Sequence, residues 1–563
     1  MIKDIMIESW KLDGKRKKWL KKNKHKLSVD SIAKYLGKSP EETKKILGIK
    51  QHTEVSGTNE KYILIALLAF VFIVFATSLR NEFLSDDIPA ILNNPIIKTW
   101  GFVTANFWGV IQNLIYFLIA NLVGLKPWAF RLVNIASHVA TTFFLFKIVA
   151  RQFGFKVGIL SCALFAFAPA IVEPVVWISA MPYVLGGMFT MWVVNLHLSE
   201  EQNTSTKFAE IMLWLMAMIT TEKFIFIPIV LFIWDAQNKK LRENIWNLGG
   251  LFAISLIKGL AILSFFGLRV NALATSYYFS SGGAANNPLK KIVVALGNYI
   301  YLYFWPQGLT LYHSDVGLTW PDLAKYGGVL VIFCLLIWLL RKKILGVSFW
   351  LIFSLLSLIV VLSPFNVSSL VAERYAYLAH AGLAVTVALV INFVIGKVKE
   401  KEVAWTVVYV LVFAIAARSL FRIYDWRTAD TLWLSAEKYS PSSWQNHNNL
   451  GDTYSKQGNI TKAIEEFTKA ITLNPNYADA IHNRASAYLS LGEIEKARQG
   501  FLEASRINPY LWQSNILLAT TYVTDKNWKE AIKYAEKAYI VTKSPEMKKW
   551  IDELYKSAEE VKK

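Results

Sequence analysis

Eleven blocks of apolar residues, separated by short polar stretches, run between Tyr62 and Leu420, and this pattern limits the fold class before any single motif does. A helix needs about 20 apolar residues to cross a hydrocarbon core of about 30 Å, and in lipid only helices and closed barrels satisfy their own backbone polar groups. After the first block, Tyr62 to Leu79, come Leu132 to Ala150, Val157 to Ile171, Tyr183 to His197, Phe208 to Thr220 and Phe224 to Trp234. Leu248 to Leu268, Tyr326 to Leu340, Val347 to Leu362, Tyr377 to Ile395 and Val403 to Leu420 follow. The Phe208 and Phe224 blocks fall short of the roughly 17 residues a span needs, so they suit a re-entrant pair as well as two crossings.

The formal charge of +20 does not point to nucleic acid. The basic residues gather in a Lys-rich head, residues 1–61, and in short loops, as membrane topology demands. With the N-terminus in the cytoplasm, Arg151/Lys156, Lys239/Lys240/Arg242, Arg341/Lys342/Lys343 and Lys397/Lys399/Lys401 all fall on the cytoplasmic side. Trp108 to Leu125 and Ile292 to Trp305 would break that agreement by crossing, so both are expected in or near the outer interface. About sixty mostly polar residues precede the first block, which reads as a retained anchor. Cys162 and Cys334 both lie in apolar blocks, which argues against a disulfide framework or thiolate metal site.

Beyond Asp425 the composition turns polar and a 34-residue period appears, the length of a tetratricopeptide (TPR) repeat. Leu450, Gly451, Tyr454, Ala463, Phe467, Ala470 and Pro475 fill the packing and turn positions of one repeat. The same period carries to Tyr488, Ala497, Phe501, Ala504 and Pro509, and again to Leu518, Tyr522, Ala531 and Ala538. Ala436 and Pro441 read as the end of a degenerate leading repeat. The expected fold is therefore all-α: a polytopic helical domain over 62–425 and a TPR α-solenoid over 426–563, with an odd span count placing the array outside the cytoplasm. In the head, Ser39-Pro40-Glu41-Glu42 is a capped helix start that, with Ile32, Leu36 and Ile46, suggests a small helical hairpin facing anionic lipid.

Acidic residues near the membrane are scarce, so those at the outer ends of spans carry information. Asp86 and Asp87 follow the first block and suit either a helix cap or a general base. Glu173 follows the third block, Glu222 sits between the short pair, and Glu373 and Arg374 precede the tenth. Acids on several outer loops, with a guanidinium suited to phosphate, fit group transfer from a phosphate ester. In the repeats, Asn448, Asn449 and Trp512 offer a polar and aromatic surface for an extended peptide.

SDDIPAILNNP from Ser85, RLVNIASHV from Arg131, VEPVVWISA from Val172, TEKFIFIP from Thr221, WPQGLTLYHSD from Trp305, AERYAYLA from Ala372 and the Asp425-Trp426 pair occur in this order ahead of the repeats. In that order they resemble the transmembrane and TPR-containing (TMTC) family, part of the GT-C glycosyltransferases that use polyprenyl-phosphate sugars. The resemblance implies inverting transfer, most readily of mannose, to a protein hydroxyl at the extracytoplasmic face, with Asp86 or Asp87 as base. Arg374 would meet the departing phosphate, with His138 and Arg131 as weaker candidates and Glu373, Glu173 and Glu222 lining the donor site.

Arg131 stands where that family usually has His, and Thr221 where it has Lys before Glu222. The usual Arg-Pro pair is absent around Ile111 to Tyr116. Two other readings are transfer to a glycan or lipid acceptor, as in O-antigen ligases and polymerases, and a non-catalytic TPR scaffold. No His/Asp/Glu cluster at metal-ligand spacing is legible, so neither metal nor cofactor is expected. The expected partners are a polyprenyl-phosphate sugar, a protein or glycan acceptor in the TPR groove, and membrane lipid. A prokaryotic plasma membrane is expected over endoplasmic reticulum.

This topology predicts that single cysteines at Ser85 and at Lys526 both react with a membrane-impermeant reagent applied from outside. Reaction at only one would break the odd-span arrangement.

Overall fold

The structure, a computed structural model, describes Leu36 and residues 58–200, 202–275, 287–340, 344, 346–362 and 370–560. The expected hairpin of the head and the Arg341–Lys343 cluster lie outside these residues. Among the described residues all regular elements are helical. Those of ten or more residues are α1 (Thr58–Ala76), α2 (Val110–Leu122), α3 (Pro127–Phe153), α4 (Phe155–Ala166), α5 (Met181–His197), α6 (Thr204–Thr220) and α7 (Ile227–Asn238). They continue with α8 (Leu241–Thr275), α9 (Pro288–Phe304), α10 (Trp320–Leu340), α11 (Val347–Leu358), α12 (Tyr377–Ile395) and α13 (Lys401–Asp425).

Among the described residues, seven helices are long and apolar enough to cross a membrane, and eight if α4 is joined to the Pro169–Val176 stretch, from which a 59° bend separates it. The other three expected crossings are α6, α7 and α11, of 17, 12 and 12 residues. At 1.5 Å per residue, 12 residues cover only about 18 Å. Among the described residues, length and composition therefore support seven of the eleven expected crossings, or eight with the bent pair as one span.

Helix ends follow local chemistry. Gly154, at φ +89°, turns α3 directly into α4, a backbone state that an L side chain rarely adopts. Asn203 and Thr428 each close a capping box. On the side opposite the acids, His197 of α5 lies 2.7 Å from Glu210 of α6 and 3.0 Å from Asp235 of α7. Asn247 of α8 donates to the second Glu210 oxygen at 2.6 Å. All four are buried, so these charges stand only because they partner one another.

The chain then forms α14 (Ala429–Tyr439), α15 (Trp444–Lys456), α16 (Ile460–Leu473), α17 (Ala478–Ser490), α18 (Ile494–Ile507), α19 (Trp512–Thr524), α20 (Trp528–Thr542) and α21 (Pro545–Glu560). The pairs α15/α16, α17/α18 and α19/α20 are three helical repeats, with α14 as the degenerate leader and α21 as the closing helix. Ala463, Ala470, Ala497, Ala504, Ala531 and Ala538 are fully buried, as the 34-residue period requires. A Cβ on Gly451 would come within 2.7 Å of the Phe467 ring, so only glycine admits this aromatic between the paired helices.

The array is seated on the loop 305–319. The rings of Tyr312 and Trp433 stack at 6.1 Å and 8°. Ser314 Oγ donates to Ser443 Oγ at 3.0 Å, and the Ser442 N–H donates to Asp315 Oδ1 at 3.0 Å.

Small residues let membrane helices approach closely. A Cβ on Gly382 of α12 would lie 2.5 Å from the Trp350 carbonyl oxygen of α11, whereas one on Gly249 of α8 would meet nothing within 4 Å. Gly382→Ala should therefore lower stability by about 1–3 kcal/mol, and Gly249→Ala should not. Thermal unfolding in detergent compares the two; equal melting temperatures would contradict this packing.

Candidate active site

The segment after α1 is held in place by Arg131 of α3. Its Nε donates to the Val176 carbonyl at 2.7 Å, Nη1 to Asn81 at 2.8 Å and Nη2 to Glu82 at 2.9 Å. Arg131 is buried and all three of its nitrogens are used on backbone. It is a strut between two loops, not a group facing a donor phosphate.

The adjacent aspartates point different ways. Asp87 is wholly buried. Its Oδ1 accepts from the Ser179 N–H at 2.8 Å and the Ser179 hydroxyl at 2.5 Å, and its Oδ2 accepts from the Leu84 N–H at 3.3 Å. Asp86 follows Ser85, whose φ is +51°, and its side chain is exposed. It opens into a cavity of about 640 Å³ walled on one side by Glu82, Ser85 and Pro89, and on the other by Trp433, Asn449, Asp452 and Lys456 of the first TPR helices, with Tyr312 between. Although solvent reaches it through the cavity, desolvation by these walls pushes the Asp86 carboxyl above its usual range, and the Arg374 charge pulls the other way.

Behind the cavity lies a buried ion network. Arg374 Nη1 donates to Glu173 Oε1 at 2.7 Å. Arg422 Nη2 donates to Glu373 Oε1 at 3.0 Å and Nη1 to Asp425 Oδ2 at 3.3 Å, and His313 Nε2 lies 3.6 Å from Glu373 Oε1. Glu173 Oε2, Glu373 Oε2 and Arg422 Nε are buried without hydrogen-bond partners. The Arg374 guanidinium lies over the rings of Trp177 and Tyr375, each 5.1 Å away. Beyond Tyr375, Glu222 pairs with Lys223 at 3.1 Å and with Lys258 at 3.8 Å. Lys223 lies over the Tyr375 ring and Lys258 over Trp108.

Asp86, Glu173, Glu222, Glu373 and Arg374 are thus gathered at one end of the bundle. His138 is not among them. It is buried in α3, packed against Phe75 and Phe165, with Nδ1 2.9 Å from the Tyr377 hydroxyl and Nε2 3.3 Å from the Ala166 carbonyl. Of the TPR residues, Asn449 reaches the cavity, Asn448 accepts from Asn483 Nδ2 at 3.0 Å, and Trp512 stands at the start of α19 away from the cavity lining.

Lys223, Lys258, Arg422 and His313 were not singled out from the sequence. Lys258 carried a usable signal, a lone charge inside the apolar run ISLIKGLAI. Among the described residues, Glu437, His447 and Glu466 are near enough together to hold a cation, but Lys469 already contacts both carboxylates, at 3.5 and 2.7 Å.

An ion-paired cleft at one end of an apolar helical bundle, roofed by a TPR solenoid, defines a multi-pass membrane protein with a covered polar site. Tetratricopeptide-repeat family profiles match residues 451–492 and 478–510. The chain is 22% identical over 462 residues to the protein O-mannosyl-transferase F38B6.6 of Caenorhabditis elegans, covering 74% of this chain and 63% of that protein. It is 28% identical over 127 residues to the protein O-mannosyl-transferase TMTC3 of Mus musculus, and 30% over 103 residues to TMTC4 of the same species. These two matches cover 23% and 18% of this chain and 14% of each relative. The chain is therefore similar to TMTC proteins, and matches less than two thirds of the length of these relatives.

Burial pushes the Asp87 carboxyl from 3.8 up to about 6, although Ser179, Leu84 and Arg131 pull it down. Between those values the folded chain binds the proton that the unfolded chain has released, so stability falls as pH rises through this window. The melting temperature should drop between pH 4 and 6.5 by more in the wild type than in Asp87→Asn. Equal pH slopes would contradict this.

Proposed function

We propose that this chain is a membrane glycosyltransferase of the GT-C type, moving a sugar, mannose by preference, from a polyprenyl-phosphate donor to a hydroxyl of a protein acceptor. One observation carries the reading: Asp86 is an exposed carboxylate in a cavity bounded by the first TPR helix, and it senses the charge of Arg374. In this reading the base and the acceptor surface share one cavity, and the Arg374 guanidinium acts on the base electrostatically. The names of the relatives support protein hydroxyls as acceptors and mannose as the sugar. The cavity faces the extracytoplasmic side of a prokaryotic plasma membrane in this reading.

In the proposed reaction Asp86 removes the proton from the acceptor hydroxyl as its oxygen attacks the anomeric carbon. The bond from that carbon to the phosphate oxygen breaks, the phosphate leaves with the electron pair, and the configuration inverts. Phosphate leaves readily as an anion, so catalysis rests on the base and on cations that stabilise the departing charge. Arg374 is the first of these, oriented by Glu173, Trp177 and Tyr375. Lys223 and Lys258 add two cations where the family's Lys is replaced by Thr221. Asp87 and Arg131 hold the loop, and the array presents the acceptor.

In proteoliposomes given radiolabelled polyprenyl-phosphate mannose and a Ser/Thr peptide, Asp86→Asn should slow transfer by about 10²- to 10⁴-fold while donor binding persists. Asp87→Asn should act mainly on stability. Wild-type turnover in Asp86→Asn would remove Asp86 from the mechanism, and no labelled product from the wild type with any polyprenyl-phosphate sugar would remove the function.

A further inference from the structure

His138 is buried inside the bundle and the reaction above leaves it idle, yet it touches the helix break that delivers Glu173. The helix α4 ends at Ala166, and Pro169, which has no N–H, opens the next stretch after a 59° bend. In an unbroken helix the Ala166 and Phe167 carbonyls would accept from residues 170 and 171. Here the Ile171 N–H goes to the Ala168 carbonyl at 3.0 Å instead. Within a bilayer such freed groups must find partners on neighbouring helices. Ser419 of α13 donates to the Phe167 carbonyl at 2.6 Å, and His138 Nε2 lies 3.3 Å from the Ala166 carbonyl. A carbonyl only accepts, so in the neutral ring Nε2 carries the proton, and Nδ1 accepts from the Tyr377 hydroxyl at 2.9 Å. Gly187 of α5 leaves room for that phenol, since a Cβ there would come within 2.6 Å of its ring.

We propose that His138 is a positioning residue: by joining the Ala166 carbonyl to the Tyr377 hydroxyl, its neutral imidazole sets the separation of Glu173 and Arg374. Glu173 lies seven residues beyond Ala166, and Arg374 three residues before Tyr377. The ring therefore ties together the two segments that carry this ion pair, whose 2.7 Å contact orients the guanidinium. With the imidazole gone, the bend loses a carbonyl partner and the start of α12 loses its link to it. Arg374 then shifts from the departing phosphate, while Asp86 and the acceptor cavity stay as they are. This inference rests on the reading of Arg374 as the cation that meets that phosphate.

The test uses the full chain in proteoliposomes. Solid-state NMR of histidine-labelled wild type, with His138→Gln to identify the signal, should show His138 as the Nε2–H tautomer. The Nδ1–H tautomer would overturn the proposal, because the Ala166 carbonyl would then lack its donor. The Trp177 and Tyr375 amides bond the Glu173 and Ala372 carbonyls. Their hydrogen exchange should speed up in His138→Leu and stay near wild type in His138→Gln, whose amide still offers one donor and one acceptor. With polyprenyl-phosphate mannose and a Ser/Thr peptide, His138→Leu should lower kcat by about 10- to 10²-fold, the scale for a group misplaced by up to about 1 Å. The peptide KM should stay within about twofold, and His138→Gln should recover most of kcat; equal losses in the two variants would overturn the positioning. Tyr377→Phe removes one of the two bonds and keeps the ring, so it should show the same changes at smaller size whether or not His138→Leu folds. The tautomer and the exchange need no turnover. If both come out as expected while the wild type transfers no sugar, the transferase falls and the positioning stands; unaltered exchange beside normal wild-type transfer sinks the positioning alone.

Discussion

Taking a charge out of water costs several kcal/mol per ion unless a partner of opposite sign and good geometry replaces the solvent. The polar end of this bundle is organised by that requirement. Glu173, Glu373 and Arg422 are fully buried, and each is tolerated because α13 and the turns before α5 and α12 bring its partner within 3.0 Å. The network ties the bent pair, the start of α12 and the end of α13 into one unit. Asp425, its outermost member, is also the last residue before the polypeptide turns into the array.

From that anchor the remaining geometry follows. Trp426, fully buried beside Trp177 at 6.0 Å, turns the chain so that α14 begins over the bundle. The Glu82 N–H donates to the Arg427 carbonyl at 3.1 Å, which stitches the loop after α1 to the array at its root. Arg131 supports the same loop from below through Asn81 and Glu82. A loop clamped from both sides can hold a strained residue such as Ser85, because the surroundings over-determine its conformation. The proposed base is therefore carried on a short segment held by Arg131, Ser179 and Arg427, three remote parts of the chain.

The repeats and most crossings were legible because periodicity is a local property. Ala463, Phe467 and Ala470 recur as Ala497, Phe501 and Ala504 whatever surrounds them, and burial follows from the spacing. Glu173, Glu373, Arg374 and Glu222 were legible as a set because uncompensated acids at span ends are rare. His138 was not separable from them, since one turn of helix decides whether a side chain meets a cleft or an apolar interior. Asp86 and Asp87 differ even less in sequence, yet one is exposed and the other sealed against Ser179.

Sequence alone determined that this chain is helical throughout its ordered plan, that an apolar bundle precedes a repeat solenoid, and where the scarce acids cluster. Those properties depend on composition and on spacings of a few to a few tens of residues, which the chain carries in any conformation. Tertiary structure decided which aspartate is exposed, which arginine braces backbone and which pairs with Glu173, and that Lys258 and His313 meet Glu222 and Glu373. These depend on contacts between residues far apart in sequence. A separation of 201 residues between Glu173 and Arg374 leaves no local signal of their 2.7 Å ion pair.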